Sequence, residues 1–334
     1  MGLIEKAFQV NARPAKPVVA GAEQGGTQAR SETIAALPGA QLATGGTALS
    51  AAGGLSQGLG HGQGTHHAEK EFELPVRHLA AAGFYMPQRK SSRLALELRL
   101  LKRRLLRRIG YLRTSAPLDA GNRRQARQRN TIMVTSTRPA EGKTFTAINL
   151  ALSLALEDEV PVLLVDGDAP RPKVQTHLGL NDPRGLSDLI RQPQLHPAAL
   201  SYRARGTSLT VLPEGGPVDH AAELFGSNAG HRTFSMLSQW RSEQIVIIDA
   251  PPVLATTEAV VLGSLVDEII FVVEADATPE PAIASAIEEL LDVNPNISLV
   301  LNKTLIGAGG SHYGSYSDYY PRGARAAARD GQRD

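Results

Sequence analysis

Apolar and polar positions alternate along the second half of the chain in a way that predicts a layered α/β domain. Short, almost wholly apolar runs at Ile132–Val134, Val162–Val165, Leu209–Leu212, Ile245–Ile248, Val266–Val273 and Ser298–Leu301 read as strands. Runs without polar interruption belong to a sheet covered on both faces. Stretches of helical period, Thr144–Glu157 and Pro281–Asp292, lie between strands. Strands alternating with helices predict a doubly wound, mainly parallel sheet.

Ahead of that domain the pattern changes twice. Leu94, Leu98, Leu101, Leu105 and Ile109 recur at helical spacing and predict a helix over 91–109 with one apolar stripe. Around the stripe stand Arg93, Arg99, Lys102, Arg103, Arg104, Arg107 and Arg108 against the single acid Glu97. Such a helix packs on its own domain with a solvated basic face, contacts another protomer, or lies on an anionic membrane surface. Leu74–Val76 and Leu79–Met86 read as a short ordered arm, and 114–130 as a polar loop. Residues 1–10 have the pattern of a short helix. From Ala12 to about His67 the chain is rich in Gly, Ala, Gln, Ser and Thr, without any charged side chain between Glu32 and Glu69. Too few large apolar groups stand there to offset the entropy of ordering, so a flexible tether is expected. His61, His66 and His67 lack acidic or Cys neighbours and read as incidental. The expected organisation is 1–68 N-terminal segment and tether, 69–130 arm and basic helix, 131–306 main domain, and 307–334 tail.

Composition narrows the function classes. The 334 residues are 42% hydrophobic with a formal net charge of +2, too little to indicate nucleic-acid binding by itself. There is no cysteine, which removes disulfides, thiolate catalysis and Cys-ligated metals. No run of 18 apolar residues appears, and the start lacks the basic-then-apolar order of a signal peptide. A cytoplasmic location is expected.

The chemistry concentrates at strand ends. The first strand runs into Pro139-Ala140-Glu141-Gly142-Lys143-Thr144, followed by Phe145 and a helix. In a loop of this form backbone N–H groups and a helix N-terminus surround phosphates, the Lys reaches the outer phosphates, and the hydroxyl after it binds Mg²⁺. Thr137 and Ala140 stand where glycines are common in such loops. Asp166 and Asp168 follow the second strand, and Asp249 follows Ile245–Ile248 in Asp249-Ala250-Pro251-Pro252. In a parallel sheet these carboxylates share the end that carries the loop. Mg²⁺ favours oxygen ligands and keeps several waters, and a further carboxylate is needed to take a proton from a nucleophile. Each Asp alone would read as a cap of the following turn; together with Gly142-Lys143-Thr144 they read as a Mg-nucleotide site. Asn302-Lys303, after the last strand, fits either a base-contacting position or a turn. Four of the seven tyrosines, Tyr313, Tyr316, Tyr319 and Tyr320, crowd into a Gly/Ser-rich tail and read as phosphate acceptors.

These motifs together resemble the bacterial tyrosine kinases, and among them the soluble exopolysaccharide-locus autokinases found with exosortase systems. The resemblance covers Leu3–Ala7, the arm and basic helix, and everything from Ile132 to the tyrosine tail; Gly185–Leu189 and Glu223–Phe225 also fit. It implies a P-loop NTPase fold and a MgATP-dependent kinase that phosphorylates its own tail tyrosines between neighbours in a ring-like homo-oligomer. It further implies a role in exopolysaccharide polymerisation and export. A membrane-embedded, Wzz-like chain-length protein would recruit it to the inner face of the plasma membrane and activate it, and a cognate tyrosine phosphatase would reverse the modification. On this resemblance Glu141, Gly142, Lys143, Thr144, Phe145, Arg171 and Asn302 contact the nucleotide. Thr144 binds Mg²⁺, Asp168 and Asp249 hold its water shell, and Asp166 is the candidate base. The sequence departs from the family at Pro170, where Arg is usual, and at Leu96, which holds the place of the helix's acid while Arg99 and Lys102 keep the basic spacing. The alternatives are a partition- or positioning-type regulatory ATPase, for which Arg138 would imitate that family's extra loop Lys, and a membrane-surface scaffold with a nucleotide switch.

Overall fold

The structure, a computed structural model, describes residues 69–86, 92–111, 129–157 and 160–304. The expected tether, the opening helix and the tyrosine tail lie outside the described residues. In chain order the elements are β1 (Lys70–Phe72), α1 (Val76–Ala81), α2 (Arg93–Arg108), β2 (Thr131–Ser136), α3 (Lys143–Glu157), β3 (Val162–Asp166), α4 (Val174–Leu178) and α5 (Leu186–Arg191). A 3₁₀ turn (Pro197–Ala199), β4 (Tyr202–Ala204), β5 (Leu209–Leu212), α6 (Ala221–Gly226), α7 (Asn228–Gln239) and β6 (Ile245–Asp249) follow. The described part closes with α8 (Glu258–Leu265), β7 (Glu268–Glu274), α9 (Glu280–Leu291) and β8 (Ile297–Asn302).

The strands form an eight-stranded sheet in the order β1-β4-β5-β3-β6-β2-β7-β8. Every neighbouring pair is parallel except β4 with β5. The interior strands β2, β3, β5 and β6 are buried along their whole length, as their unbroken apolar runs require. Alternate residues feed two cores, one on each face. Ile270 and Val272 of β7 point into a cluster with α2 and α3, whereas Ile269, Phe271 and Val273 join α5, α7, α8 and α9. Helices on both faces of a mainly parallel sheet make the doubly wound architecture. Among the described residues no helix is long and apolar enough to cross a membrane.

The arm and the basic helix belong to the same packed body as the sheet: Leu79, Phe84, Tyr85, Leu98, Leu105 and Ile109 sit in the cluster of α3. The Ser92 hydroxyl accepts the N–H of Ala95 and starts α2. The helix is rolled slightly from the expected stripe. Ala95 and Lys102 are buried, while Leu94 and Leu101 are half-buried. Lys102, expected on the basic face, instead directs its ammonium at the Ser153 carbonyl of α3 (3.5 Å). A long aliphatic stem lets a lysine take such an inward position if its head finds oxygen. The Asn149 side chain of α3 ties the arm down, accepting the Tyr85 N–H (2.5 Å) and donating to the Phe145 carbonyl (2.7 Å).

Candidate active site

Strand β2 delivers the chain at Ser136 into a loop that closes at Gly142, one residue before α3 begins. Glu141 holds this loop in shape. Its Oε2 accepts the N–H groups of Thr137 (2.8 Å) and Arg138 (3.0 Å), and its Oε1 accepts the Thr278 hydroxyl (2.6 Å). Gly142 is required by conformation and by space. It has φ +100°, and a Cβ there would stand 2.0 Å from Asn302 Nδ2. The Asn302 amide donates to the Glu141 carbonyl (2.9 Å), so the end of β8 braces the loop. Ala140 takes a left-handed φ of 69°, which accounts for the glycine common at that place.

The acids come from neighbouring strand ends. Asp166 on β3 and Asp249 on β6 are register partners, so two carboxylates stand side by side where the strands stop. Two residues on, Asp168 turns back to Lys143, whose Nζ lies 2.5 Å from Asp168 Oδ2 and 3.6 Å from Asp249 Oδ1. The Thr144 hydroxyl donates to Asp249 Oδ2 (2.7 Å). Asp166 lies deeper and is fully buried; its oxygens accept the N–H groups of Asp168 (3.3 Å) and Val174 (2.9 Å).

One ammonium therefore faces three carboxylates in a dry setting. Burial alone would lower the pKa of Lys143, but Asp249 and Asp168 outweigh it and raise it above the ordinary value. Burial raises Asp166 well above the usual carboxylate range, and the neighbouring Asp249 adds to it. Burial also raises Asp249, with Lys143 and the Thr144 hydroxyl opposing. Three carboxylates against one ammonium leave the cluster short of positive charge. Asp249 Oδ1 is buried without a hydrogen-bond partner. Such an orphaned carboxylate oxygen, next to a hydroxyl and a second carboxylate, suits Mg²⁺, which takes oxygen ligands and needs few from the protein. Among the described residues no group of three or more His, Asp or Glu side chains forms a ready metal cage.

Above these groups opens a cleft of about 440 Å³. Of the residues expected from sequence, Gly142, Lys143, Thr144, Phe145, Asp168 and Arg171 line it. Asp249 lies behind Thr144. Asp166, Glu141 and Asn302 do not line the cleft: Asp166 is covered by the turn it caps, and the other two brace the loop from behind. Tyr313, Tyr316, Tyr319 and Tyr320 lie outside the described residues. Sequence reasoning passed over Lys173, His177 and Thr256, which also line the cleft. The His177 ring packs edge-on against Phe84, itself tilted against Phe145 (centroids 4.9 Å), so the arm supports one wall. The basic Lys173, close after Arg171, was the available signal.

The comparisons with known proteins agree with this geometry. No protein-family model matches the chain. The tyrosine-protein kinase YwqD of Bacillus subtilis (strain 168) is 32% identical over 174 residues, which cover 49% of this chain and 68% of that protein. The putative tyrosine-protein kinase AmsA of Erwinia amylovora is 27% identical over 211 residues, 62% of this chain but 27% of AmsA's length. Among solved structures the chimerical protein CapA2B2 superposes with a TM-score of 0.53 at 20% identity, over 70% of this chain and 92% of that one, and so shares the fold. With a phosphate loop, strand-end acids in register and a relative matched over two thirds of its length, the chain belongs to the bacterial tyrosine-protein kinase family.

Proposed function

We propose that the chain is a MgATP-dependent tyrosine autokinase acting on its own C-terminal tyrosines. The observation that carries this reading is the cluster of Lys143, Thr144, Asp168 and Asp249, with its orphaned carboxylate oxygen at the mouth of the loop. Bound MgATP would supply the phosphoryl group and the divalent charge. The chain's own part is to bind and orient. The loop braced by Glu141 and Asn302 presents N–H groups to phosphate oxygens, and Lys143 leaves Asp168 to meet negative charge. Thr144, Asp168 and Asp249 would hold the Mg²⁺, which would supply positive charge against the phosphates, while Phe145 and Arg171 line the cleft. Asp166 is the proposed acceptor of the tyrosine proton, reached once its bonds to Asp168 and Val174 open, since catalytic hydrogen bonds commonly form only in the substrate complex.

The described tyrosines support the tail as acceptor. Tyr85 is 2% exposed, Tyr111 packs partly against the core, and the Tyr202 hydroxyl donates to Asp182 (2.6 Å). In this reading the protein works as a ring-like homo-oligomer on the cytoplasmic face of the plasma membrane. A membrane-embedded Wzz-like protein activates it, a tyrosine phosphatase resets it, exopolysaccharide polymerisation and export are the regulated process, and nucleic acid has no part. The test is incubation of purified protein with MgATP, followed by phosphotyrosine detection and mass spectrometry. Phosphate should appear on Tyr313, Tyr316, Tyr319 or Tyr320 and disappear when all four are changed to Phe, with nucleotide binding intact. ATP hydrolysis without phosphotyrosine would favour a positioning-type ATPase. Phosphate mainly on Tyr85, Tyr111 or Tyr202 would remove the tail from the mechanism.

A further inference from the structure

One wall of the cleft carries basic side chains that the proposed chemistry leaves unused. Lys173 and His177 both line it. His78 of α1 is close enough for its charge, like that of Lys173, to act on His177: burial first, then these two neighbours, push the imidazole pKa below its ordinary value. Among the described residues none of these three side chains pairs with a carboxylate. Like charges gathered at a cleft raise the local concentration of anions. The wall is also held in place. The His177 ring rests on Phe84, and the Gln175 amide donates to the Gly215 carbonyl (2.8 Å).

Helix α4 sets the distance of this wall from the transfer site. The Val174 N–H donates to Asp166 Oδ2 (2.9 Å), so Lys173 stands next to the proposed base. His177 is three residues further along the helix, about 4.5 Å along its axis. The acceptor tail repeats on a comparable scale. Tyr313, Tyr316 and Tyr319 follow one another at steps of three residues, about 10 Å in an extended chain. With one tyrosine at Asp166, the next has the reach to meet Lys173 and His177. Charge decides what the wall recognises there. Residues 305–320 hold one acid, Asp318, and no Lys or Arg, so an unmodified tail brings little negative charge. Each phosphotyrosine adds roughly −1.5 to −2 and three strong acceptor oxygens.

We propose that Lys173 and His177 form a subsite for phosphotyrosine, holding a tail tyrosine already modified while its neighbour is phosphorylated; this deepens the autokinase reading above and rests on it. The lysine supplies a point charge and the imidazole an N–H donor to the phosphate oxygens. The nucleotide's own phosphates are met by the loop and Lys143, which leaves this wall to an anion carried by the acceptor. The first phosphate then primes the rest, and the cluster passes from unmodified to multiply modified with little of the single phosphoform between.

Autophosphorylation of the full chain, followed over time by intact-protein mass spectrometry, gives the rate of the second phosphate relative to the first. Taking that ratio within one protein cancels any general loss of activity. In wild type the second step should be the faster. Lys173→Gln with His177→Gln should lower the ratio by about tenfold, the usual worth of a charge-assisted contact, so that the singly phosphorylated form accumulates. Lys173→Arg should stay near wild type, since a guanidinium also binds phosphate. Circular dichroism checks that each variant folds. A second measurement needs no turnover. With MgADP present, a peptide of residues 311–320 phosphorylated at Tyr319 should bind the chain whose four tail tyrosines are changed to Phe about tenfold more tightly than the unmodified peptide does. Adding Lys173→Gln and His177→Gln should erase that difference. Equal ratios in wild type and variant, with phosphotyrosine still formed, remove the subsite and leave the kinase reading standing. No phosphotyrosine from wild type removes both. Loss of MgATP affinity by the variant, with its ratio unchanged, gives the two residues to the nucleotide instead.

Discussion

Two lysine–aspartate pairs in this protein use the same chemistry to opposite ends. Lys70 on edge strand β1 pairs with Asp182, which also accepts the Tyr202 hydroxyl and the Arg184 N–H. Burial works against ionisation there, but Lys70, Tyr202 and the Arg184 N–H outweigh it and bring Asp182 down to about 2. Both oxygens of that acid have partners. Around Lys143 three carboxylates share one ammonium, Asp166 and Asp249 are raised, and Asp249 Oδ1 has no hydrogen-bond partner, only the Lys143 ammonium at 3.6 Å. A pair whose every acceptor is used closes a structure. A cluster left short of positive charge in a cleft is poised to gain a ligand.

Exchanging lysines gives the largest separation. Lys143→Met should lower phosphotyrosine formation by about 100-fold or more, because the group that meets the phosphoryl charge is gone, with the fold retained. Lys70→Met should leave transfer unchanged and lower the melting temperature. Equal activity of both variants in a phosphotyrosine assay would erase the distinction. Next in size come the neighbouring acids. Asp166→Asn should keep MgATP affinity and lose transfer, whereas Asp168→Asn should weaken the Mg²⁺ dependence of binding. Titrations giving the reverse pattern would exchange the two roles, and normal transfer by both would leave each Asp as a turn cap.

Steric tests at the loop should be smaller. Gly142→Ala forces a side chain into φ +100° and onto Asn302, a cost of roughly 1–3 kcal/mol by denaturant unfolding. Adding Asn302→Gly should return part of that stability, which no purely conformational penalty would do. The smallest effect concerns pH. The folded pKa of Asp182 is depressed to about 2 from the ordinary carboxylate range, so its stabilisation is full above the unfolded value and fades as pH falls toward 2. Asp166 and Glu214, both raised mainly by burial, act in the opposite sense and gain in stability as acid protonates them. Acid titration of Asp182→Asn should therefore show a shallower loss than wild type over that window, and an identical slope would show that the pair contributes nothing.

Much of this was legible because the informative residues are local. Ile245–Ile248 reads as a buried strand from four β-branched residues, and β6 is Ile245–Asp249. The loop announces itself through Gly142-Lys143-Thr144, and Asp166 and Asp249 through their places after apolar runs. What escaped depends on partners distant in sequence. Strand β1, Lys-Glu-Phe, has no apolar alternation and exists because Lys70–Phe72 pairs with Tyr202–Ala204 across the sheet edge. Helix α7 is an exception: Phe234 and Leu237 already share its apolar face in the sequence, and Phe234 packs on Phe225 only nine residues away. The burial of Lys102 was hidden for the same reason as β1: its ammonium meets the Ser153 carbonyl, 51 residues away in the chain.

The last described strand also sets a leash. Asn302 touches the loop, so the chain leaves β8 at the same end of the sheet as the cleft. From Thr304 to Tyr313 is nine residues and to Tyr320 sixteen, which span at most about 30 Å and about 55 Å at full extension. Between β8 and β3 lie four strand spacings, about 19 Å at the usual separation. Contour length alone thus permits each tail tyrosine to visit its own cleft as well as a neighbour's. If the tail is the acceptor as proposed, whether phosphate travels within a chain or between chains would be set by how crowded the copies are, and the order of the rate in protein concentration would read it out.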